Sequence, residues 1–148
     1  MELNLETLAR NEYQLSLPNE YRIGSIQAAV ETLTKLGLGE GIEEIYQKNI
    51  FTGEMLVLLL FYKNKLIKVD FSKADLIDNI NIEIFKYDNL KVFKYRTWSD
   101  NLNNCSISME FVSGEVIDLN NCNDTNSHWA YKFGKKINNI FKILNAAQ

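Results

Sequence analysis

Proline, histidine and cysteine are scarce in this 148-residue sequence, which has one proline, one histidine (His128) and two cysteines. A histidine-based metal site or a paired Cys-x-x-Cys site needs several such ligands at short spacing, and the sequence does not supply them. A nucleophile elbow and an HExxH motif are also missing. We therefore expect no catalytic residues, no metal site and no cofactor, and an enzyme is the less favoured interpretation.

Long apolar runs and strong net charge are missing as well. The longest apolar run, residues 55–62, is far shorter than the roughly 20 residues that span a bilayer. The first six residues are acidic and lack the basic and apolar regions of a signal peptide. The formal net charge of −3 gives no case for a nucleic-acid partner. We expect a cytoplasmic protein without a membrane span, and the abundance of Asn, Ile and Lys is typical of an AT-rich bacterial genome.

Charge is distributed unevenly along the chain. Residues 1–44 carry eight acids against three bases, whereas residues 125–148 carry four lysines and no acid. The two ends could attract each other or simply be solvated, or they could present an acidic or basic docking face. The sequence leaves both interpretations open.

The pattern of residues 124–145 predicts a single amphipathic helix that closes the chain. Its apolar residues recur at spacings of three and four and so share one face, whereas its lysines lie mostly off that stripe. Such a helix needs an apolar surface to pack on, so Trp129 and Phe133 should be largely buried. The apolar stripe is Trp129, Phe133, Ile137, Ile140, Phe141 and Leu144, and the lysines are Lys132, Lys135, Lys136 and Lys142.

The pattern of residues 1–40 predicts a helical extension. A short helix is expected at residues 3–13, and Pro18 interrupts the pattern. A second helix is expected between Ser25, a plausible N-cap, and Gly37, a plausible C-terminal stop.

Residues 42–119 contain seven candidate strands separated by turns. The continuous apolar run at residues 55–62 predicts a central strand covered on both faces. A strand at residues 66–71 is followed by a polar connection at residues 72–79. Asp88-Asn89 then suits a two-residue hairpin turn, which would pair Ile84 with Phe93 and place Glu83 opposite Lys94.

The last hairpin decides whether the two cysteines meet. A two-residue loop at Ser113-Gly114 would pair Cys105 with Cys122, but it mixes charged and apolar side chains on both faces. A three-residue loop, residues 112–114, instead pairs Met109 with Ile117 and keeps the apolar residues on one face. We therefore predict the second register and two free thiols, as a reducing cytoplasm would favour.

Seven antiparallel strands followed by a helix carrying Trp129 resemble the pleckstrin-homology-like fold over residues 42–145. The length of 148 residues predicts a single domain, residues 1–148. The resemblance implies an α+β fold with a seven-stranded antiparallel sheet or partly open barrel at residues 41–122, capped by the helix at 124–145. The alternative is a helix-grip fold, in which one curved sheet wraps around the closing helix. Proteins with this fold usually enclose an apolar cavity that binds a small molecule or lipid.

Four lysines are the candidate ligand-binding residues: Lys48, and the group Lys63, Lys65 and Lys68 near one turn, which could contact an anion. The pleckstrin-homology-like fold includes many protein- and peptide-binding members, although a fold does not determine a function. We expect a non-catalytic bacterial interaction module that binds a protein or peptide, with small acidic immunity proteins as one subset of that class.

Overall fold

The computed structural model describes residues 25–74 and 77–148, which form an α+β arrangement of two antiparallel sheets and two α-helices. The elements are α1 (Ser25–Lys35), β1 (Glu44–Lys48), β2 (Val57–Phe61), β3 (Lys65–Ala74), β4 (Ile77–Lys86), β5 (Leu90–Trp98), β6 (Asn101–Phe111), β7 (Val116–Asn120) and α2 (Ala130–Ala146). A 3₁₀ helix, Tyr87–Asn89, lies between β4 and β5. The predicted helix at residues 3–13 lies outside the described residues.

The seven strands form two antiparallel sheets, whereas the helix-grip alternative has a single curved sheet. Closure of the strands into the partly open barrel that we expected stays a prediction. The first sheet has the order β1-β2-β3-β4 and the second β5-β6-β7. Phe85 of β4 packs on Phe111 of β6 with ring centroids 4.8 Å apart, and Tyr46 of β1 packs on Phe133 of α2 at 5.0 Å. The closing helix packs against strands of both sheets and buries Phe133, Ile137, Ile140 and Leu144.

Strand β2 has the environment predicted for a central strand covered on both faces. Its residues 58–61 are at most 1% exposed, and β1 and β3 pair with it on either side. Helix α1 contributes Ile26, Ala29 and Leu33 to the same buried cluster. Gly37, at φ +75°, ends this helix as predicted, because the N–H of Leu38 reaches back to the carbonyl of Leu33.

The predicted hairpin at Asp88-Asn89 is wrong. Strand β4 pairs with β3 over ten residues, so Ile84 faces Ile67 and Glu83 faces Lys68. Residues 72–74 and 77–79, expected as a polar connection, extend these two strands instead. The error arose because an alternating strand with one acidic residue suits either neighbour, and both neighbours offer a lysine.

Tyr87 is the residue that turns the chain out of the first sheet. Its side chain is 3% exposed, its hydroxyl donates to the carbonyl of Tyr62, and its N–H donates to the carbonyl of Asn64. Because these bonds hold Tyr87 against the turn between β2 and β3, the following strand leaves β4 and joins the second sheet.

The closing helix begins at Ala130, six residues later than predicted. Asp124 does not start a helix, because its carboxylate accepts a hydrogen bond from the N–H of Asn120 and closes a turn. Trp129 precedes the first helical residue and is only half-buried, stacked on Phe51 with centroids 5.6 Å apart. Of the two aromatics expected in the core, Phe133 alone is fully buried.

The register predicted for the last hairpin is confirmed. Met109 faces Ile117, and Gly114 adopts φ +92°, the left-handed conformation that the three-residue loop requires. The N–H of Asn121 donates to the carbonyl of Cys105, so Cys122 points away from Cys105. Both cysteines are free thiols, with Cys105 buried and Cys122 exposed.

Candidate functional site

The structure does not bring the four candidate lysines together. Lys68, predicted to cluster with Lys63 and Lys65, instead lies 3.4 Å from Glu115 and 3.9 Å from both Asp70 and Glu83. These carboxylates come from β3, β4 and the turn before β7. Lys68 therefore bridges the two sheets through carboxylates from both.

Lys48 also has a structural role. Its ammonium group donates to the carbonyl of Asp118 and lies 3.6 Å from the carboxylate of Asp124, which is 4% exposed. The same carboxylate accepts a 2.8 Å hydrogen bond from the hydroxyl of Tyr46. This cluster, in which Tyr46 and Asp124 are buried and Lys48 is partly exposed, joins β1 of the first sheet to the turn that follows the second sheet.

Burial shifts the pKa values of Asp124 and Tyr46. It raises the pKa of Asp124 above its ordinary value, although hydrogen bonds from Asn120 and the charge of Lys48 oppose that change. Burial, together with the adjacent carboxylate, raises the pKa of Tyr46. Both groups lie inside the protein, so their chemistry stabilises the packing and does not reach a substrate.

Lys136 was predicted to lie off the apolar stripe of the closing helix, and that prediction is wrong. It is 7% exposed, donates to the carbonyl of Ile45 and lies 3.1 Å from Glu44. Burial lowers its pKa, whereas the charge of Glu44 raises it. Its position, three residues after Phe133 and four before Ile140, lies on the apolar face of the helix. The partner that makes its burial tolerable is more than 90 residues away, and periodicity does not reveal that partner.

Lys63 and Lys65 do share a surface hollow of about 460 Å³, together with Lys86 of β4. Lys65 and Lys86 are direct cross-strand neighbours, and like charges in that position are destabilising. Lys65 also lies over the ring of Tyr62, 5.1 Å from its centroid. Contact of these lysines with an anion stays a prediction, and Lys86 was missed because the pairing of β3 with β4 was missed.

A larger groove of about 560 Å³ runs across the outer face of the second sheet. Its shape follows from the sequence of β6, where Ser106 and Ser108 alternate with buried apolar residues. Small side chains on the middle strand lie between longer ones on β5 and β7, so the face is hollow along its centre. The outward residues form three cross-strand rows: Val92–Glu110–Val116, Lys94–Ser108–Asp118 and Arg96–Ser106–Asn120.

Charge in this groove is sorted by strand. Lys94 and Arg96 lie on β5, whereas Glu110 and Asp118 lie on β6 and β7. Within the described residues, none of these four is in an ion pair, in contrast to the paired Lys48, Lys68 and Lys136. The groove therefore presents unpaired charges of both signs on separate strands, and a binding partner could pair with them. The alternation of small polar residues in β6 was the signal in the sequence, but we read it only as evidence for a strand.

A family model described as "Protein of unknown function (DUF3908)" matches residues 10–135. The chain belongs to this family. No curated protein matches the chain. The DUF3908 match includes every residue that lines the groove and ends one residue before Lys136. Neither of the two helices in the described part of this DUF3908 protein is long and apolar enough to cross a membrane.

Proposed function

We propose that this protein is a non-catalytic interaction module that binds a protein or peptide partner in the groove of the second sheet. The order of four strands, three strands and a closing helix supports a pleckstrin-homology-like arrangement, in which such binding is common. The observation that carries the proposal is the sorted, unpaired charge of the groove, with cations on β5 and carboxylates on β6 and β7.

The partner should present an extended, polar segment with charges of both signs. Acidic side chains of the segment would face Lys94 and Arg96, and basic side chains would face Glu110 and Asp118. Val92 and Val116, which are 47% and 50% exposed, offer apolar contacts at one end of the groove. Charges arranged in this way give specificity and rapid association more than raw affinity. An immunity-type protein that neutralises a toxin is one member of this class.

A small-molecule carrier is the weaker alternative. Small-molecule sites are usually concave and mostly apolar, with only a few polar groups. Seven of the eleven residues that line the groove are polar or charged. The groove therefore suits a polar segment of a macromolecule better than a lipid.

The test is capture of partners from the native host on immobilised protein, compared between two charge reversals on the same strand. Arg96→Glu places an acid in the groove, whereas Lys91→Glu makes the same change on β5 at an exposed position outside the groove. Wild type and Lys91→Glu should retain the same specific protein, and Arg96→Glu should lose most of it.

Two outcomes would contradict the proposal. Equal capture by Arg96→Glu and Lys91→Glu would show that the groove is not the binding site. A stoichiometric lipid or metabolite found in the purified protein by native mass spectrometry would favour the carrier. Circular dichroism and thermal melting of both variants show whether a loss of capture reflects a loss of folding.

A further inference from the structure

Three lysines surround one hollow at the end of the first sheet. Lys63 lies in the turn between β2 and β3, Lys65 is the first residue of β3, and Lys86 is the last residue of β4. All three line the hollow of about 460 Å³ described above. They come together because β3 pairs with β4 along its whole length, which brings the end of β4 back to the turn before β3.

The positive charge of this hollow is not balanced within the chain. Among the residues that the structure describes, none of the three lysines forms an ion pair, in contrast to Lys48, Lys68 and Lys136. One carboxylate, that of Asp88, also lines the hollow. Three lysines and one carboxylate give the lining a net charge of +2.

The neighbouring surface does not supply the missing negative charge. A second hollow of about 360 Å³ shares Lys63 with the first and is lined also by Lys142 and Glu43. The charges of Lys142 and Glu43 are opposite and cancel. The excess of two positive charges is therefore confined to the first hollow.

Two of the lysines are held close together at a cost in stability. Lys65 and Lys86 are direct cross-strand partners, a position in which like charges are destabilising. The ammonium group of Lys65 lies 5.1 Å from the centroid of the Tyr62 ring, a contact that attracts a cation but leaves its charge in place. An anion bound between the two ammonium groups would relieve this repulsion.

The backbone that carries the lysines is fixed by Tyr87, which directly follows Lys86. The N–H of Tyr87 donates to the carbonyl of Asn64 at 3.2 Å, and its hydroxyl donates to the carbonyl of Tyr62 at 2.8 Å. These bonds join the end of β4 to the turn that contains Lys63. The hollow is thus formed before a ligand arrives, which lowers the entropic cost of binding.

We propose that this hollow binds a phosphate monoester, whose phosphoryl group carries two negative charges and is held by Lys63, Lys65 and Lys86. The net charge of the lining matches that of the group, whereas a carboxylate ligand would compensate only half of it. Lysine binds phosphate as a compact point charge with three donors. Ile84, which is 53% exposed, lines the same hollow and offers an apolar contact to the rest of the ligand.

This site is separate from the proposed partner-binding groove. The two share no lining residue, and the inference does not depend on the proposed function. A phosphate monoester that is lost on Lys86→Gln belongs to this hollow and leaves the groove free for a partner.

Calorimetric titration of the full chain at pH 8 and constant ionic strength tests the charge match. Phenyl phosphate should bind saturably, and methyl phenyl phosphate, a diester with one negative charge, should bind about tenfold more weakly. Lys86→Gln should weaken the binding of phenyl phosphate about tenfold. The matched control is Lys91→Gln, an exposed lysine of β5 outside the hollow, and it should bind as wild type does.

Thermal melting separates a ligand site from a lysine that only supports the fold. Without ligand, Lys86→Gln should melt at or above the temperature of wild type, because the repulsion from Lys65 is removed. Phenyl phosphate should raise the melting temperature of wild type and of Lys91→Gln, with a much smaller effect on Lys86→Gln.

Vesicles distinguish a lipid headgroup from a soluble ligand. Phosphatidylcholine vesicles that contain phosphatidic acid present a monoester, whereas those with phosphatidylglycerol present a diester. Binding to the phosphatidic acid vesicles that Lys86→Gln abolishes would identify a lipid headgroup. Binding of phenyl phosphate without binding to these vesicles would identify a soluble phosphate monoester.

Three results would overturn the proposal. The first is the absence of saturable binding to both phenyl phosphate and phosphatidic acid vesicles. The second is equal binding by Lys86→Gln and Lys91→Gln, and the third is equal affinity for the monoester and the diester.

Discussion

The hydroxyl of Tyr46 donates a 2.8 Å hydrogen bond to the carboxylate of Asp124 and so connects β1 of the first sheet to the turn after β7 of the second. Asp124 also accepts from the N–H of Asn120 and lies near Lys48. One buried carboxylate thus has three partners from two sheets. Its removal leaves buried donors without an acceptor, which costs more than the net value of the bonds themselves.

Asp124→Ala should lower the free energy of unfolding by about 3 kcal/mol, because it leaves the Tyr46 hydroxyl and the N–H of Asn120 without this acceptor. Urea denaturation measures this change. The matched control is Asp118→Ala. The side chain of Asp118 is exposed, so its removal should lower the free energy of unfolding by no more than about 0.5 kcal/mol. Equal effects of the two substitutions would mean that the cluster does not hold the sheets together.

The contribution of Asp124 to stability should fall as pH rises. Burial raises its pKa in the folded state, so the folded protein binds this proton more readily than the unfolded chain does. The contribution is complete below the unfolded pKa and decreases as pH rises through the folded pKa. The difference in unfolding free energy between wild type and Asp124→Asn should therefore be larger near pH 4 than near pH 7, since about 3.9 is the ordinary value for aspartate. A difference that grows with pH would show that hydrogen bonds outweigh burial.

Gly134→Ala should destabilise the protein although alanine is the better helix former. A Cβ at residue 134 would lie 3.1 Å from the side-chain nitrogen of Asn121. Asn121 is 1% exposed, accepts from the N–H of Cys105 and donates to the carbonyl of Ala130, so it cannot move aside.

A double-mutant cycle separates this contact from helix propensity. In an Asn121→Ala background the obstacle is gone, and Gly134→Ala should then stabilise the protein by roughly 0.5–1 kcal/mol. Thermal melting of wild type, the two single variants and the double variant measures the effect of Gly134→Ala on stability with and without the Asn121 side chain. If Gly134→Ala stabilises the wild-type background as well, Asn121 is not held rigidly.

The two thiols should react at very different rates in the folded protein. Cys122 is exposed, whereas Cys105 is buried and burial raises the pKa of its thiol, so less of the reactive thiolate forms. Thiol titration should give one fast group in native protein and two groups in unfolded, unreduced protein. A total near zero, with an intramolecular disulfide seen by mass spectrometry, would contradict the register of the last hairpin.

The sequence by itself determined the local elements: the seven strands, the Gly37 end of α1, the register of β6 against β7 and the buried face of α2. Each of these depends on residues close together in the chain, where periodicity and turn geometry leave few alternatives. Only the tertiary structure decided that β4 pairs with β3, because alternation defines the face of a strand and not its neighbour.

The same reason explains what was missed at the candidate sites. The burial of Lys136 and the ion pairs of Lys48 and Lys68 depend on carboxylates from distant parts of the chain. The groove was missed because Ser106 and Ser108 form a hollow only when β5 and β7 lie on either side of them. Long-range contacts decide which charges are paired, and the charges left unpaired define the surface that a partner could bind.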